Sequence, residues 1–463
     1  MKLNDERVES FEKFLFEMMD KHNIPGISLA IAHKEKILYS KGFGYRDMEN
    51  KREMSADTIL GIASISKSFA ALAIAQLVMQ GKMSFEDPLT KYYKNFKLPD
   101  GYNPSKIKVK HLLNHTAGFP PLESLGYSIV KNTVPDEGED RSKFTEDYTI
   151  DTIAQLAEFM SLAKYEMLGK PGEILSYSND SYGLLGGIVE KVSGLSYQKY
   201  IKENVFQPLK MNRSFFDGDK LSQFDNVTTL YYEKDDQIIP SRNWQEAPPY
   251  LACGWIRSSV NDLIKYAQMY ANGGQLFGER IISKELIQEM ILGEAKYTSY
   301  SNYGFGLSVT EDYQGLSLVE HGGSLKGVSS HFGFIPEANL SVVVLCNLSG
   351  VAVSNIWLAA VNTALSLPLD LKRREYNEHD WSKEQLSPFE GEYVSLEGAK
   401  VEISIDQENI CAKMNGKKYD IKMVDSLLGV INVNDRVREI SFLKRKGTPW
   451  AIGYGGRVIL KKE

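Results

Sequence analysis

The 463-residue sequence predicts an α+β body interrupted by an all-α insertion and followed by a small all-β unit. Three observations lead there. Strand-period segments occur at both ends of the first part of the chain, and the stretch between them is mostly helical. An apolar helix with one lysine near its start, residues 61–77, sits where the first strands give way to that helical middle. After Pro368 the composition turns polar, and a series of short alternating runs follows. A sheet built from both chain ends and packed beside a helical insertion leaves a cleft between the two.

Residues 6–21 carry apolar positions at helical spacing, and Ile24-Pro25-Gly26 stops that helix. The runs 27–32 and 36–40 read as a hairpin that continues through Gly42-Phe43-Gly44-Tyr45-Arg46-Asp47. The 61–77 segment has no Pro or Gly after Gly61 until Gly81 and is apolar on all sides, the pattern of a buried helix closed by glycine. Asp87-Pro88 and Leu98-Pro99-Asp100-Gly101 punctuate an irregular stretch before 109–119. Residues 131–150 are charged and turn-rich and read as a mobile excursion near the cleft. Helices are expected at 150–164, at 181–193 up to Gly194, and from Ser259 onward. Runs at 303–309, 316–321, 329–335 and 340–347 read as adjacent antiparallel strands, and an apolar helix at 353–367 ends at Pro368. The body is therefore expected over 1–369, its sheet part at 1–95 and 240–369 and its helical part at 96–239. A polar linker at 370–387 leads to 388–463. There, runs at 401–405, 410–414, 419–423, 428–433, 439–443 and 457–460, with an Asn415-Gly416 turn, predict a small antiparallel barrel.

A hydrophobic fraction of 43% and a charged fraction of 25% are those of a globular protein. The net charge of −6 argues against nucleic acid or an anionic membrane surface as main partner. No window approaches a membrane span, and the polar start Met1-Lys2-Leu3-Asn4-Asp5-Glu6-Arg7 lacks the apolar stretch of a signal peptide, so cytoplasmic residence is the default expectation. Cys253, Cys346 and Cys411 are odd in number, far apart and in apolar settings, which reads as buried thiols. Nothing in the pattern asks for a metal or another cofactor. The expected partner is a small-molecule or short-peptide substrate, with assembly into a homo-oligomer assigned to the C-terminal barrel.

Chemistry is concentrated at Ser64 and Lys67. Three residues apart on a helix, they share a face one turn from each other. Burial disfavours the charged lysine, so its pKa is expected to fall, and a neutral lysine there takes the serine proton. The spacing alone carries no weight, because Ser-x-x-Lys recurs at Ser10, Ser105, Ser128, Ser161, Ser196 and Ser441, all in charged or mixed segments where lysine is solvated. Ser64 alone opens an apolar helix. Two further segments complete the pattern: Tyr177-Ser178-Asn179, in a loop entering a Gly- and Leu-rich helix, and His321-Gly322-Gly323-Ser324, placed at the end of a strand where glycines admit a substrate to the backbone.

In that order, Ser64-Ile65-Ser66-Lys67, Tyr177-Ser178-Asn179 and His321-Gly322-Gly323 make the chain resemble the serine β-lactamase and penicillin-binding protein superfamily. The flanks His111-Leu112-Leu113-Asn114-His115-Thr116-Ala117-Gly118 and Gly172-Glu173-Ile174-Leu175-Ser176 are family-like, and the resemblance covers residues 10–367. Its branch holds class C β-lactamases, DD-peptidases, D-aminopeptidases and esterases. It implies a β-lactamase/transpeptidase-like fold and a serine hydrolase that works through an acyl-enzyme on small amides or peptides, or an esterase. A penicillin-binding sensor or an inert scaffold are the alternatives. Tyr-Ser-Asn and His-Gly-Gly replace the Ser-Asp-Asn and Lys-Thr-Gly of class A enzymes, so a glutamate-dependent mechanism is not implied. The resemblance gives Ser64 the role of nucleophile and Lys67 with Tyr177 that of proton carriers. Asn179 would orient Lys67, and the backbone N–H groups of Ser64 and Ser324 would form the oxyanion hole beside Gly322 and Gly323. His321 stands where relatives with lysine hold a substrate carboxylate; a histidine is mostly neutral at pH 7 and grips an anion less. His115 is expected to be structural. The C-terminal unit is similar to the lipocalin-like domains appended to some relatives.

Overall fold

The computed structural model describes residues 1–99, 101–137, 139, 141, 144, 150–216, 218–406 and 409–462; within the segment expected as an excursion at 131–150, residues 138, 140, 142, 143 and 145–149 lie outside them, and Lys131 and Asn132 close the helix Ser124–Asn132. A nine-stranded antiparallel sheet forms the body. Its order is Ala295–Lys296, Asn302–Tyr303, Ser308–Tyr313, Leu316–Leu325, Val328–Ile335, Leu340–Cys346, Gly26–His33, Lys36–Asp47 and Arg52–Glu53. The N-terminal strand thus pairs with the last strand of the body, Ile27 opposite Cys346 and Ile31 opposite Val342.

Alternation along the central strands explains both cores. Val342 and Val344 face the helices Asp5–Lys21 and Val353–Leu365, packing with Phe11, Leu15, Ile356 and Trp357. Val343 and Leu345 face the opposite way, toward the helices Ser66–Met79 and Val260–Ala271. There Phe69 stacks on Tyr266 at 3.7 Å and Tyr270 on Phe334 at 5.1 Å. With both faces covered, the Leu340–Cys346 strand is buried at every position, which is why its sequence reads as an apolar run rather than an alternation.

Three expectations are corrected. The strand expected at 303–309 is broken into Asn302–Tyr303 and Ser308–Tyr313, with Gly306 at φ +69° in the turn between them. The strand expected to end at His321 runs on to Leu325, so His321-Gly322-Gly323-Ser324 lie inside it. A hairpin, Leu230–Lys234 and Gln237–Ser241, crosses into the stretch expected to be helical. Its turn residues Asp235 and Asp236 both have positive φ, at 51° and 58°, without the glycine that marks such turns in sequence.

The C-terminal residues form a second nine-stranded antiparallel sheet, nearly closed on itself, from Gly391–Val394 to Arg457–Lys461. Val401, Ile403, Ile440, Phe442, Ile452 and Ile459 fill its interior with Leu386 and Phe389. The barrel is fastened to the body. Leu168 packs against Ala451 and Val458, Glu439 accepts from Ser299 N and Tyr376 Oη at 2.8 Å each, and Asp435 pairs with Lys21 and His22. No helix among the described residues is long and apolar enough to cross a membrane.

The packing of the sheet against the Val353–Leu365 helix leaves no space at Gly333: a Cβ there would lie 2.6 Å from Trp357 Cζ2 and 2.6 Å from the Val319 carbonyl. Gly333→Ala is therefore expected to cost about 1–3 kcal/mol by overpacking. Urea denaturation followed by tryptophan fluorescence measures it, and an unchanged midpoint would show that the approach is looser than this.

Candidate active site

Ser64 sits in a short 3-10 turn, Ala63–Ile65, that feeds directly into the Ser66–Met79 helix. Ala63 before it has φ +47°, a left-handed conformation costing a non-glycine residue about 1 kcal/mol or more. The surroundings hold it there. Ile62 donates to the Ile256 carbonyl at 3.0 Å, and Ser330 Oγ donates to the Ile62 carbonyl at 2.8 Å. The strand carrying His321 presses against this turn at Gly323, where a Cβ would come within 2.5 Å of the Ile62 carbonyl and 3.0 Å of Ala63 Cβ. This glycine serves close packing between two backbones, and it draws Ser324 alongside Ser64.

Lys67 is fully buried. Its Nζ donates to Ser64 Oγ at 3.3 Å, Asn179 Oδ1 at 3.0 Å and the Cys253 carbonyl at 3.0 Å, while Cys253 Sγ also lies at 3.0 Å. The Tyr177 ring centroid is 4.7 Å away. An ammonium has three N–H donors, and three oxygen acceptors surround this one. Burial pushes the pKa of Lys67 down, but negative charge on Cys253 or Tyr177 when either ionises, and hydrogen bonds to both, push harder the other way, and the net direction is up. The sequence expectation of a lowered lysine pKa is thus reversed: apolar surroundings were legible, the Cys253 and Tyr177 side chains that face Lys67 were not.

Asn179 is the first residue of the Asn179–Ser193 helix, capped by the Ser178 side chain, so its placement in a preceding loop is corrected by one position. Tyr177 is held on both sides by His115. The His115 carbonyl accepts from Ser176 N at 3.0 Å and its Nδ1 accepts from Ser178 N at 3.1 Å, with the two rings 4.2 Å apart. Burial, and then Lys67, hold the His115 pKa far below its ordinary value.

His321 Nδ1 donates to the Gly322 carbonyl at 2.6 Å, which leaves Nε2 to accept from Tyr303 Oη at 2.8 Å. Burial first, then Lys67, push its pKa down to about 3, so the ring is neutral throughout the physiological range. Behind it on the same strand, Glu320 is held by Arg373 at 2.8 Å and His331 at 2.7 Å. Arg373 and His331 lower the Glu320 carboxyl to about 2 against its burial.

The barrel reaches into this site. The Gly456 carbonyl accepts the Tyr177 N–H at 2.8 Å, Val458 N donates to Ser176 Oγ at 3.3 Å, and the Arg457 guanidinium lies 5.2 Å from the Tyr177 ring centroid while paired with Glu397. The cleft between body and barrel is lined by Ser64, Tyr177, Asn179, His321 and the turn at Gly455-Gly456-Arg457, and it belongs to an open groove of about 1600 Å³ that extends as far as Phe14 and Leu358. The structure therefore brings Ser64, Lys67, Tyr177, Asn179, His321, Gly322, Gly323 and Ser324 to one cleft. It adds Cys253, Tyr303 and the barrel turn, none of which sequence reasoning placed there. Cys253 and Tyr303 look like ordinary core residues in sequence. The Gly455-Gly456 pair was readable as a turn, but its reach across to Tyr177 was not.

Residues 11–362 match the family described as Beta-lactamase. Penicillin-binding protein 4* of Bacillus subtilis (strain 168) is 26% identical over 423 residues, 87% of each chain. Protein flp of Staphylococcus aureus (strain N315) is 26% identical over 350 residues, 75% of this chain, and the match spans 64% of the length of flp. The octameric penicillin-binding protein homologue from Pyrococcus abyssi superposes with a TM-score of 0.70 at 30% identity, covering 98% of this chain and 100% of that one. A match across most of the body, with Ser64, Lys67, Tyr177 and Asn179 gathered at one cleft, means that this chain belongs to the β-lactamase family.

Proposed function

We propose that the protein is a serine hydrolase that forms an acyl-enzyme on Ser64 with small amides or short peptides, as D-amino-acid peptidases and carboxypeptidases of this family do. The observation that carries the reading is the buried Lys67 ammonium, bonded at once to Ser64 Oγ and Asn179 Oδ1 beside the Tyr177 ring. Packing does not require a charge there, and burying one is costly unless it serves something.

In the reactive form the Lys67–Tyr177 pair lacks one proton, and which member lacks it is a property of the pair. The Ser64 proton moves to the pair as Oγ bonds to the carbonyl carbon; the pair then passes a proton to the leaving nitrogen as the carbon–nitrogen bond breaks. Water attacks the resulting ester, gives its proton to the pair, and Ser64 Oγ regains one. The Ser64 and Ser324 N–H groups serve as the oxyanion hole, worth about 3 kcal/mol per donor. Asn179 fixes Lys67 and presents its amide to the substrate. Neutral His321 offers no charge to a penicillin carboxylate, which favours peptide or ester substrates over rapid β-lactam turnover. The Pyrococcus abyssi homologue is octameric, and assembly of this chain into a homo-oligomer through its barrel is part of the same proposal.

Two experiments test the reading. Incubation with benzylpenicillin and with a fluorophosphonate, followed by intact mass, is expected to give a Ser64 adduct with both, transient for penicillin. Ser64→Ala should abolish both adducts, cut turnover by about a thousandfold or more, and leave the melting temperature within ~2 °C. A lasting penicillin adduct would point to a sensor, and no adduct in folded protein to a scaffold. The second concerns pH. Because the pKa of Lys67 is raised, the reactive, proton-deficient pair is scarce at neutral pH and grows as pH rises. The rate of Ser64 labelling should climb from pH ~6 to ~9, by up to about tenfold per unit. A flat profile would mean that the Lys67–Tyr177 pair has already lost its proton at pH 7.

A further inference from the structure

The mouth of the barrel faces the catalytic cleft, and it carries two arginines that pair with no carboxylate among the described residues. Arg436 and Arg438 begin the strand Arg436–Arg445 and lie on the same face as Ile440 and Phe442, which fill the barrel interior. They therefore stand at the open end of that interior, and both line the cleft that contains Ser64. Arg438 is 5.7 Å from the Tyr454 ring centroid, and its Nη1 would lie 3.5 Å from a Cβ on Gly455, the neighbour of the residue whose carbonyl holds Tyr177. Four of the carboxylates that line this cleft are already engaged: Glu397 with Arg457, Asp435 with Lys21, Glu320 with Arg373 and Glu439 with Ser299 and Tyr376. Arg438 Nε is buried with no hydrogen-bond partner among the described residues.

A buried donor left unpaired is costly, and two guanidinium groups on successive same-face positions of one strand repel, which a bound anion relieves. Burial and the neighbouring Arg438 push the Arg436 guanidinium down to about 10, a strain that an added negative charge would relieve. We propose that Arg436 and Arg438 form a subsite for a carboxylate carried by the substrate remote from the bond that Ser64 attacks. Planar guanidinium forks suit a carboxylate bidentately, and their place in the same cleft as Ser64 selects substrates that reach both. This rests on the hydrolase reading in so far as it names a substrate group.

The test is calorimetric titration of the full-length Ser64→Ala protein with succinate and with inorganic phosphate, repeated in Ser64→Ala carrying Arg436→Gln and Arg438→Gln. Succinate is expected to bind the first and to bind the second about tenfold more weakly or worse. The single variants Arg436→Gln and Arg438→Gln, each expected to weaken succinate binding, replace the pair if it does not fold. Succinate binding that is absent, or equal in both proteins, overturns the proposal. So does phosphate binding without succinate binding, which would mark a site for free oxyanions. Because Ser64→Ala cannot be acylated, this result is independent of whether Ser64 labels in the natural chain, and the two readings fail separately.

Discussion

Everything at the site depends on one buried positive charge. Lys67 enters an otherwise apolar helix, and an ammonium without partners in such surroundings would cost several kcal/mol. Its acceptors come from three separate parts of the chain: the Ser64 turn, the first residue of the Asn179–Ser193 helix, and the Cys253 carbonyl. To satisfy the lysine, the helical insertion and the sheet body have to meet at one point. The nucleophile is therefore placed by the same contacts that make the burial tolerable. The left-handed Ala63 is affordable for the same reason, since the packed strand at Gly323 and the Ser330 hydroxyl fix both sides of the turn.

Much of this was legible in the sequence because it rests on local pattern. The apolar run around Lys67, the Tyr177-Ser178-Asn179 entry to a helix and the His321-Gly322-Gly323 strand announce themselves through periodicity and glycine. The α+β body and the barrel-like C-terminal sheet follow from switches between helical and strand periods. What the sequence withheld is what depends on contacts far along the chain. The direction of the lysine pKa is set by Cys253 and Tyr177, more than 100 residues away, which no window reveals. The function of Gly323 as a spacer against Ala63, rather than an opening for substrate, needs the neighbouring turn to be seen. The hairpin at 230–241 escaped notice because two aspartates take the positive φ angles that glycine usually signals.

His115 and His321 illustrate how burial reassigns a residue type. Both are titratable near neutrality in isolation, and both are held neutral here by desolvation and by proximity to Lys67. They act as fixed hydrogen-bonding plates around Tyr177 and Tyr303 rather than as carriers of charge. The barrel adds cations to the cleft, Arg457 beside Tyr177 and Arg436 with Arg438 at the barrel mouth.

The contact between Gly456 and Tyr177 is made by main-chain atoms on both sides. Such a bond survives almost any change of side chain in the turn, so the barrel can drift in composition while its hold on the body stays intact. It cannot, however, survive loss of the barrel itself. A chain cut at the linker would retain every side chain of the apparent catalytic set, yet Tyr177 would lose its amide acceptor and the cleft one of its walls. The modular look of the sequence, a body with an appendage, is misleading in that respect: the part that resembles an enzyme on its own is only the larger share of one.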